Sequence, residues 1–296
     1  MKVNGFECSL AIRTAQKEFD IPYSDETIRE DFILLQEEAA IEGDGVCRAI
    51  RRSNGVTGCV VTPLTIGAAP LLLSLAMGSA VVPVFVSETR NLYRQCLGLV
   101  PFEDSVCFDL VQDRQGKRDK GKEISERLLF ESCRVKSFEL RIVRGETIKL
   151  KLDVCGEYPA VVYPYTDTFE RETGERFSGD STNYKINGKE YTNIYGLTLI
   201  VKKEGGTKTE VWIKRSLEEG SDIPSVIDEM EITVRLLRDK YEYRYFGMLR
   251  VKITGLVLVS NETEINAADS VIGPLRYYVT GNVETNVFTS DDWSLA

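Results

Sequence analysis

Apolar and polar residues alternate with a period of two along much of the chain, most clearly between Phe138 and Val154. Phe138, Leu140 and Ile142 alternate with Glu139 and Arg141. After the turn Arg144-Gly145-Glu146, the residues Ile148, Leu150, Leu152 and Val154 alternate with Lys149, Lys151 and Asp153. Successive side chains of a strand point to opposite faces, so this pattern predicts an antiparallel hairpin with one apolar and one charged side. The expected core face is Phe138, Leu140, Ile142, Ile148, Leu150 and Leu152, and the expected solvated face is Glu139, Arg141, Lys149, Lys151 and Asp153. A second hairpin follows from Leu197, Leu199 and Val201, the turn Gly205-Gly206, and Val211 and Ile213. Shorter alternations predict strands at Cys107–Val111, Ile232–Leu236, Leu249–Ile253, Leu256–Leu258, Tyr277–Val279 and Val283–Phe288, and weakly at Phe6–Ile12.

Elsewhere the period changes. Ile28, Phe32 and Leu35 share a face at helical spacing, which predicts a part-helical segment over Ser24–Glu38 with Ser24 as its N-cap. Arg48–Val61 reads as a strand pair, or a strand and turn, punctuated by Asn54-Gly55 and Gly58. Pro70–Met77 reads as a short buried helix, because Pro suits a first helical turn and Gly78 suits the position just past the end. The charged run Gln112–Glu126 reads as a solvated loop, and Asp113, Asp119 and Glu123 dilute it too much for a nucleic-acid patch. Gly156–Lys189 is polar and carries Pro159, Pro164, Gly174 and Gly179. Loops beyond ~15 residues are usually functional or disordered, so an arm reaching a neighbouring subunit is expected there. The sum is a mainly β, antiparallel sandwich or barrel-like protein with one or two short helices, read as one domain over residues 1–296 with the arm at about 156–190.

Composition narrows the chemistry. The chain has no histidine, which removes imidazole-based triads, most zinc sites and most proton relays near neutral pH. Its 37 Lys and Arg against 46 Asp and Glu leave a net charge of −9, a poor balance for gripping phosphates. Seven cysteines at 8, 47, 59, 96, 107, 133 and 155 form no CxxC pair and read as reduced, mostly buried thiols. The apolar run from Ile66 to Val86 is broken by Pro70, Gly78 and Pro83, so a buried core segment fits it better than a membrane span. The acid pairs Glu37-Glu38, Glu218-Glu219 and Asp291-Asp292 read as solvated rather than catalytic. Tyr241 to Phe246 alternates aromatics with charges and reads as an exposed strand face near a subunit contact rather than a base-stacking platform. No catalytic, cofactor or metal site is expected.

Three passages carry a resemblance to a known family. The first is Arg51-Arg52-Ser53-Asn54-Gly55-Val56-Thr57-Gly58, then Pro63 and the segment Pro70 to Gly78. The second is Cys133 to Leu140, Arg144-Gly145-Glu146, and Lys149 to Gly156; the third is Tyr184 to Gly188 with Gly196 to Leu199. Together, over about residues 45 to 290, they resemble the tail tube proteins of long-tailed, siphovirus-type phages. The resemblance implies sandwich or barrel-like subunits with a flanking helix, six to a ring, whose hairpins close into an inner barrel. Rings stack into a tube that delivers the genome, so the implied partners are other copies of the chain, the tape-measure protein and DNA transiently in the lumen, and tail proteins at the tube ends. The implied location is the virion tail, after assembly in the host cytoplasm, with no membrane partner. On this reading Glu139, Arg141, Lys149, Lys151 and Asp153 are candidates for the lumen wall. The alternative is a baseplate or tail-tip sandwich that binds a host surface; an enzyme using carboxylates alone is a third class.

Overall fold

The computed structural model describes residues 8–13, 18–37, 48–80, 82–87, 92–117, 123–158, 161–162, 170–171, 175–216, 222–237, 246–266 and 271–289. The strands are β1 (Cys8–Arg13), β2 (Glu18–Asp20), β3 (Asp25–Glu26), β4 (Arg29–Glu37) and β5 (Arg48–Pro63), followed by helix α1 (Ala69–Met77). Then come β6 (Val84–Ser87), β7 (Leu92–Gly98), β8 (Phe108–Lys117), β9 (Glu123–Val143), β10 (Lys149–Gly156), β11 (Val161–Val162) and β12 (Glu170–Arg171). A 3-10 turn at Gly179–Ser181 precedes β13 (Thr182–Ile186), β14 (Lys189–Tyr191), β15 (Ile194–Lys202) and β16 (Lys208–Ser216). The last four are β17 (Val226–Leu237), β18 (Phe246–Asn266), β19 (Val271–Val279) and β20 (Val283–Thr289). The protein is mainly β, and among the described residues its pairings are antiparallel apart from a two-residue parallel contact between β2 and β12.

Hydrogen-bonded neighbours define two layers. The first sheet runs β5, β10, β9, β15, β16, β19 and the second half of β18. The second runs β14, β13, β17, the first half of β18, β20, β7 and β6. Strand β18 belongs to both because it turns a corner: its Phe246-side half pairs with β20 and its Asn266-side half with β19. Gly255 takes φ 66° at that corner, a left-handed conformation costly for other residues. Opposite it, a Cβ on Gly281 would stand 2.5 Å from the Thr254 carbonyl oxygen, so the two strands meet backbone to backbone. Among the described residues the pairings do not return on themselves, and the sheet is not closed into a barrel.

One apolar core joins both layers. It takes Leu140, Ile142, Leu150 and Leu199 from the first sheet, and Ile232, Val251 and Val287 from the second. Helix α1 touches β7, β9 and β20 and is buried along its whole length. Pro70 sits in its first turn, and Gly78 ends it in the left-handed conformation, with its N–H donated to the Leu75 carbonyl, as the sequence predicts. Beyond the first sheet, β9 bends at Ser132 (φ 52°), whose N–H is donated to Asp109 Oδ1 at 3.0 Å. Its first half continues outward with β8, β1 and β2, held by the buried guanidinium of Arg127 between Glu18 and Asp113. No helix among the described residues is long and apolar enough to cross a membrane.

Several expectations are corrected. Arg29–Glu37 is strand, not helix: it pairs along β5, and Ser24 caps nothing but donates its hydroxyl to the Val61 carbonyl at 3.2 Å. Strand β5 passes through Asn54-Gly55, where a turn is expected, as an irregularity rather than a reversal: Gly55 takes φ 99° and the register with β4 shifts there, but β4 pairs with β5 on both sides of it. Of the charged run Gln112–Glu126, residues 112–117 and 123–126 are strand and not loop: β8 and β9 pair through Lys117 and Glu123, and Gln112 and Asp113 are buried, while residues 118–122 lie outside the described residues. Leu249–Ile253 and Leu256–Leu258 are two halves of the single cornered strand β18. Of the Gly156–Lys189 stretch, residues 175–189 are no arm. Phe177 is buried and bonds through its backbone to Leu64 and Ile148, and β13 pairs with β17. Residues 159–160, 163–169 and 172–174 lie outside the described residues, as do 241–245 and the acids Glu38, Glu218, Glu219, Asp291 and Asp292.

Candidate functional site

The water-facing side of the first sheet is the broadest surface that the sequence singles out. Strands β9 and β10 pair with Lys149 opposite Arg141 and Lys151 opposite Glu139, and Asp153 lies opposite Ser137, whose hydroxyl it accepts. All five residues expected on the solvated face are exposed or half-exposed on one side. The six expected on the core face, Phe138, Leu140, Ile142, Ile148, Leu150 and Leu152, are buried on the other. The rows continue across the sheet by register. Lys149 and Arg141 lead through Thr198 and Trp212 to Arg276; Lys151 and Glu139 lead through Ile200 and Glu210 to Tyr278 and Val257. Periodicity identified the strands of the β9–β10 and β15–β16 hairpins, but which hairpin lies beside which is set by pairing that no local pattern encodes.

Charge on this face is unevenly neutralised. Arg276 clamps Glu210 with two bonds, Nη2 to Oε1 at 2.7 Å and Nε to Oε2 at 3.0 Å. Trp212 Nε1 donates to the same carboxylate at 3.2 Å, and Arg276 lies 5.8 Å from the Trp212 ring centre. The Arg276 hydrogen bond is the chief reason the Glu210 carboxyl titrates below its ordinary range. Arg141 meets Glu146 at 3.1 Å. By contrast Lys149, Lys151, Lys202, Lys208 and Lys214 make no ion pair among the described residues, and Lys202 stands directly opposite Lys208 across the β15–β16 hairpin. In a chain of net charge −9, this face carries an excess of cations.

Past Arg276 the same face turns apolar. Val226, Val257 and Tyr278 are cross-strand neighbours there, and Val259 follows on β18. All four are exposed.

The thiols are less buried than expected. Cys133 is buried, Cys59 and Cys155 are half-buried, and Cys96 and Cys107 are exposed; these five are free. Burial pushes the Cys133 thiol up to about 12 and the Cys59 thiol up to about 11, far from a reactive thiolate. A feature that sequence reasoning missed lies at the edge of this face. Lys203 follows the exposed Lys202 but points inward, with Nζ donating to Ser105 Oγ at 3.1 Å, near Gly78 at the end of α1. Burial brings its ammonium down to about 8. The carbonyl end of α1, the negative end of the helix, compensates part of that cost. Among the described residues, no three or more His, Cys, Asp or Glu side chains gather to hold a metal ion.

Compared with protein-family models and with curated proteins, the chain matches none. The functional reading therefore rests on the two-sided first sheet and the distribution of charge and apolar surface across it.

Proposed function

We propose that the chain is the repeating structural subunit of a tube, of the kind that forms the tail tube of a long-tailed phage and delivers its genome. Six copies close into a ring, rings stack, and the solvated face of the first sheet lines the channel. The observation that carries the reading is that face. It is one uninterrupted surface over β10, β9, β15, β16 and β19, with the shared core beneath it and water above. A wall between subunit core and a water-filled channel needs that two-sidedness. Among the described residues β4, β14 and β6 each pair with a strand on one side alone, and joining copies covers strand edges that otherwise invite uncontrolled pairing.

The reading assigns Glu139, Arg141, Lys149, Lys151 and Asp153 to the channel wall. Partners follow from the resemblance: other copies of this chain, the tape-measure protein and DNA in passage, and tail proteins at the tube ends. Unneutralised lysines on the wall attract phosphates, so passage is expected to slow at low salt. Electron microscopy of the purified chain tests the reading. Rings or tubes with a central channel and these five residues on its wall are expected. Monomers, or closed trimers with no channel, overturn the tube, and a channel with these residues on its outer surface overturns their placement.

A further inference from the structure

Two separate surfaces of the chain are apolar and open to water. The first is the segment Val82–Val86, where Val82, Val84, Phe85 and Val86 are 46 to 65% exposed. It includes β6, the outermost strand of the second sheet among the described residues, where it pairs with β7 alone and is irregular after Phe85. The second is the apolar end of the first sheet, where Val226, Val257, Val259 and Tyr278 are 39 to 61% exposed. Strands β7 and β20 separate β6 from β18, so these are two patches and not one. Each amounts to on the order of 300–400 Å² of apolar surface, the size at which exposed patches mark contacts.

We propose that the two patches are the two halves of one contact between copies of this chain: Val82–Val86 of one copy covers the Val226–Val257–Tyr278 surface of the next. The proposal rests on the self-assembly in the reading above and names the surfaces that perform it. Three considerations select a second copy as the occupant, with unlike patches meeting head to tail. If each patch met its own twin, two different interfaces would be needed to cover both, whereas seating the first patch on the second covers both with one kind of interface. Joined, the patches supply most of the apolar area of a standard interface, which totals roughly 1,600 Å² with somewhat more than half of it apolar. Their rims also match in charge. Arg94 stands opposite Val84 on β7, and Asp228 lies two residues beyond Val226 on the same face; both are exposed. A contact between non-identical surfaces repeats, closing into a ring or running on as a filament.

Two single substitutions, each disabling one half, test this. Val84→Glu spoils the first patch and keeps the second; Val257→Glu does the reverse. Both side chains face water, so the variants are expected to keep the wild-type circular dichroism and melting temperature. Val86→Glu and Val259→Glu serve as a second pair should either variant lose its fold. By light scattering after size exclusion, each variant alone is expected to remain monomeric at concentrations where wild type assembles. An equimolar mixture is expected to give one-to-one dimers and nothing larger, because one intact contact is available per pair. A variant that assembles like wild type, a mixture that stays monomeric, or wild type that never assembles overturns the proposal. Wild-type rings unaffected by either change overturn this contact and leave the ring standing. The expected dimer pattern from a wild-type assembly with no channel overturns the tube and leaves the contact standing.

Discussion

The outer faces of the two sheets differ in how their charges are arranged. Across the second sheet, Glu284, Lys252, Glu231, Lys185 and Glu190 are successive cross-strand neighbours, alternating in sign over five strands. Lys252 reaches Glu229 at 2.8 Å, Arg250 reaches Glu231 at 3.8 Å, and Lys185 reaches Glu190 at 3.8 Å. The Glu229 hydrogen bond is the main reason the Lys252 ammonium titrates above its usual range. On the first sheet the neighbours Lys149 and Arg141 share a sign, as do Lys202 and Lys208, and these lysines make no ion pair among the described residues. The charge ladder that neutralises itself asks nothing of a partner. Like charges left opposed on the first sheet, and bare valines at its end and on β6 at the edge of the second, leave the monomer incomplete.

The sharpest way to separate surface from core beneath these faces is Leu150→Ala. Leu150 is wholly buried under the lysine-rich face, and the truncation leaves a cavity expected to cost ~2–5 kcal/mol in denaturant unfolding. A cost below ~1 kcal/mol would mean that the first sheet has no packed core behind it.

A smaller effect of opposite sign is expected inside the same sheet. Lys203 titrates near 8 when folded against an ordinary 10.5, so its charged form opposes folding below about pH 8. Between these values the unfolded chain holds the extra proton, and this group's contribution to stability rises with pH until both states are neutral. Lys203→Met is therefore expected to stabilise by about 1–3 kcal/mol at pH 7, with the gain shrinking as pH approaches 10.5. Equal stability of variant and wild type at both pH values would show that the ammonium is fully compensated by Ser105 and the end of α1.

The smallest effects test the charge arrangement itself. Lys202→Glu places a carboxylate opposite Lys208 and is expected to stabilise by about 0.2–1 kcal/mol. Glu231→Lys sets a cation between Lys252 and Lys185 and is expected to destabilise by a similar amount. Both shifts are expected to fade in high salt. If the two changes moved the melting temperature in the same direction, the distinction between a balanced and an unbalanced face would fail.

Legibility followed the range of the interaction. The β9–β10 hairpin was readable because its alternation and its turn are local, and the same holds for β15–β16 and for α1 between Pro70 and Gly78. Arg29–Glu37 misled because Ile28, Phe32 and Leu35 fall at helical spacing, and a nine-residue segment takes its conformation from its neighbour β5 rather than from its own propensity. The charged ends of β8 and β9 misled for the same reason, since charge predicts solvation but not whether a backbone is paired. Strand β18 was read as two strands because the break at Gly255 looks like an end; whether a glycine stops a strand or bends it depends on what stands across from it, here Gly281.

By itself, then, the sequence determined which side of each hairpin is buried, where the helix starts and stops, and that no imidazole chemistry is available, because alternation, capping residues and composition act within a few positions of the chain. Which strands lie side by side was decided only by the tertiary structure. With it came the decision that five acids and bases form a balanced ladder on one face, while lysines confront each other on the other and the valines of β6 and β18 stay uncovered. Cross-strand register brings together strands as distant in the chain as β7 and β20, across which Arg94 bonds Asn286, 192 positions away, and no local pattern carries that information.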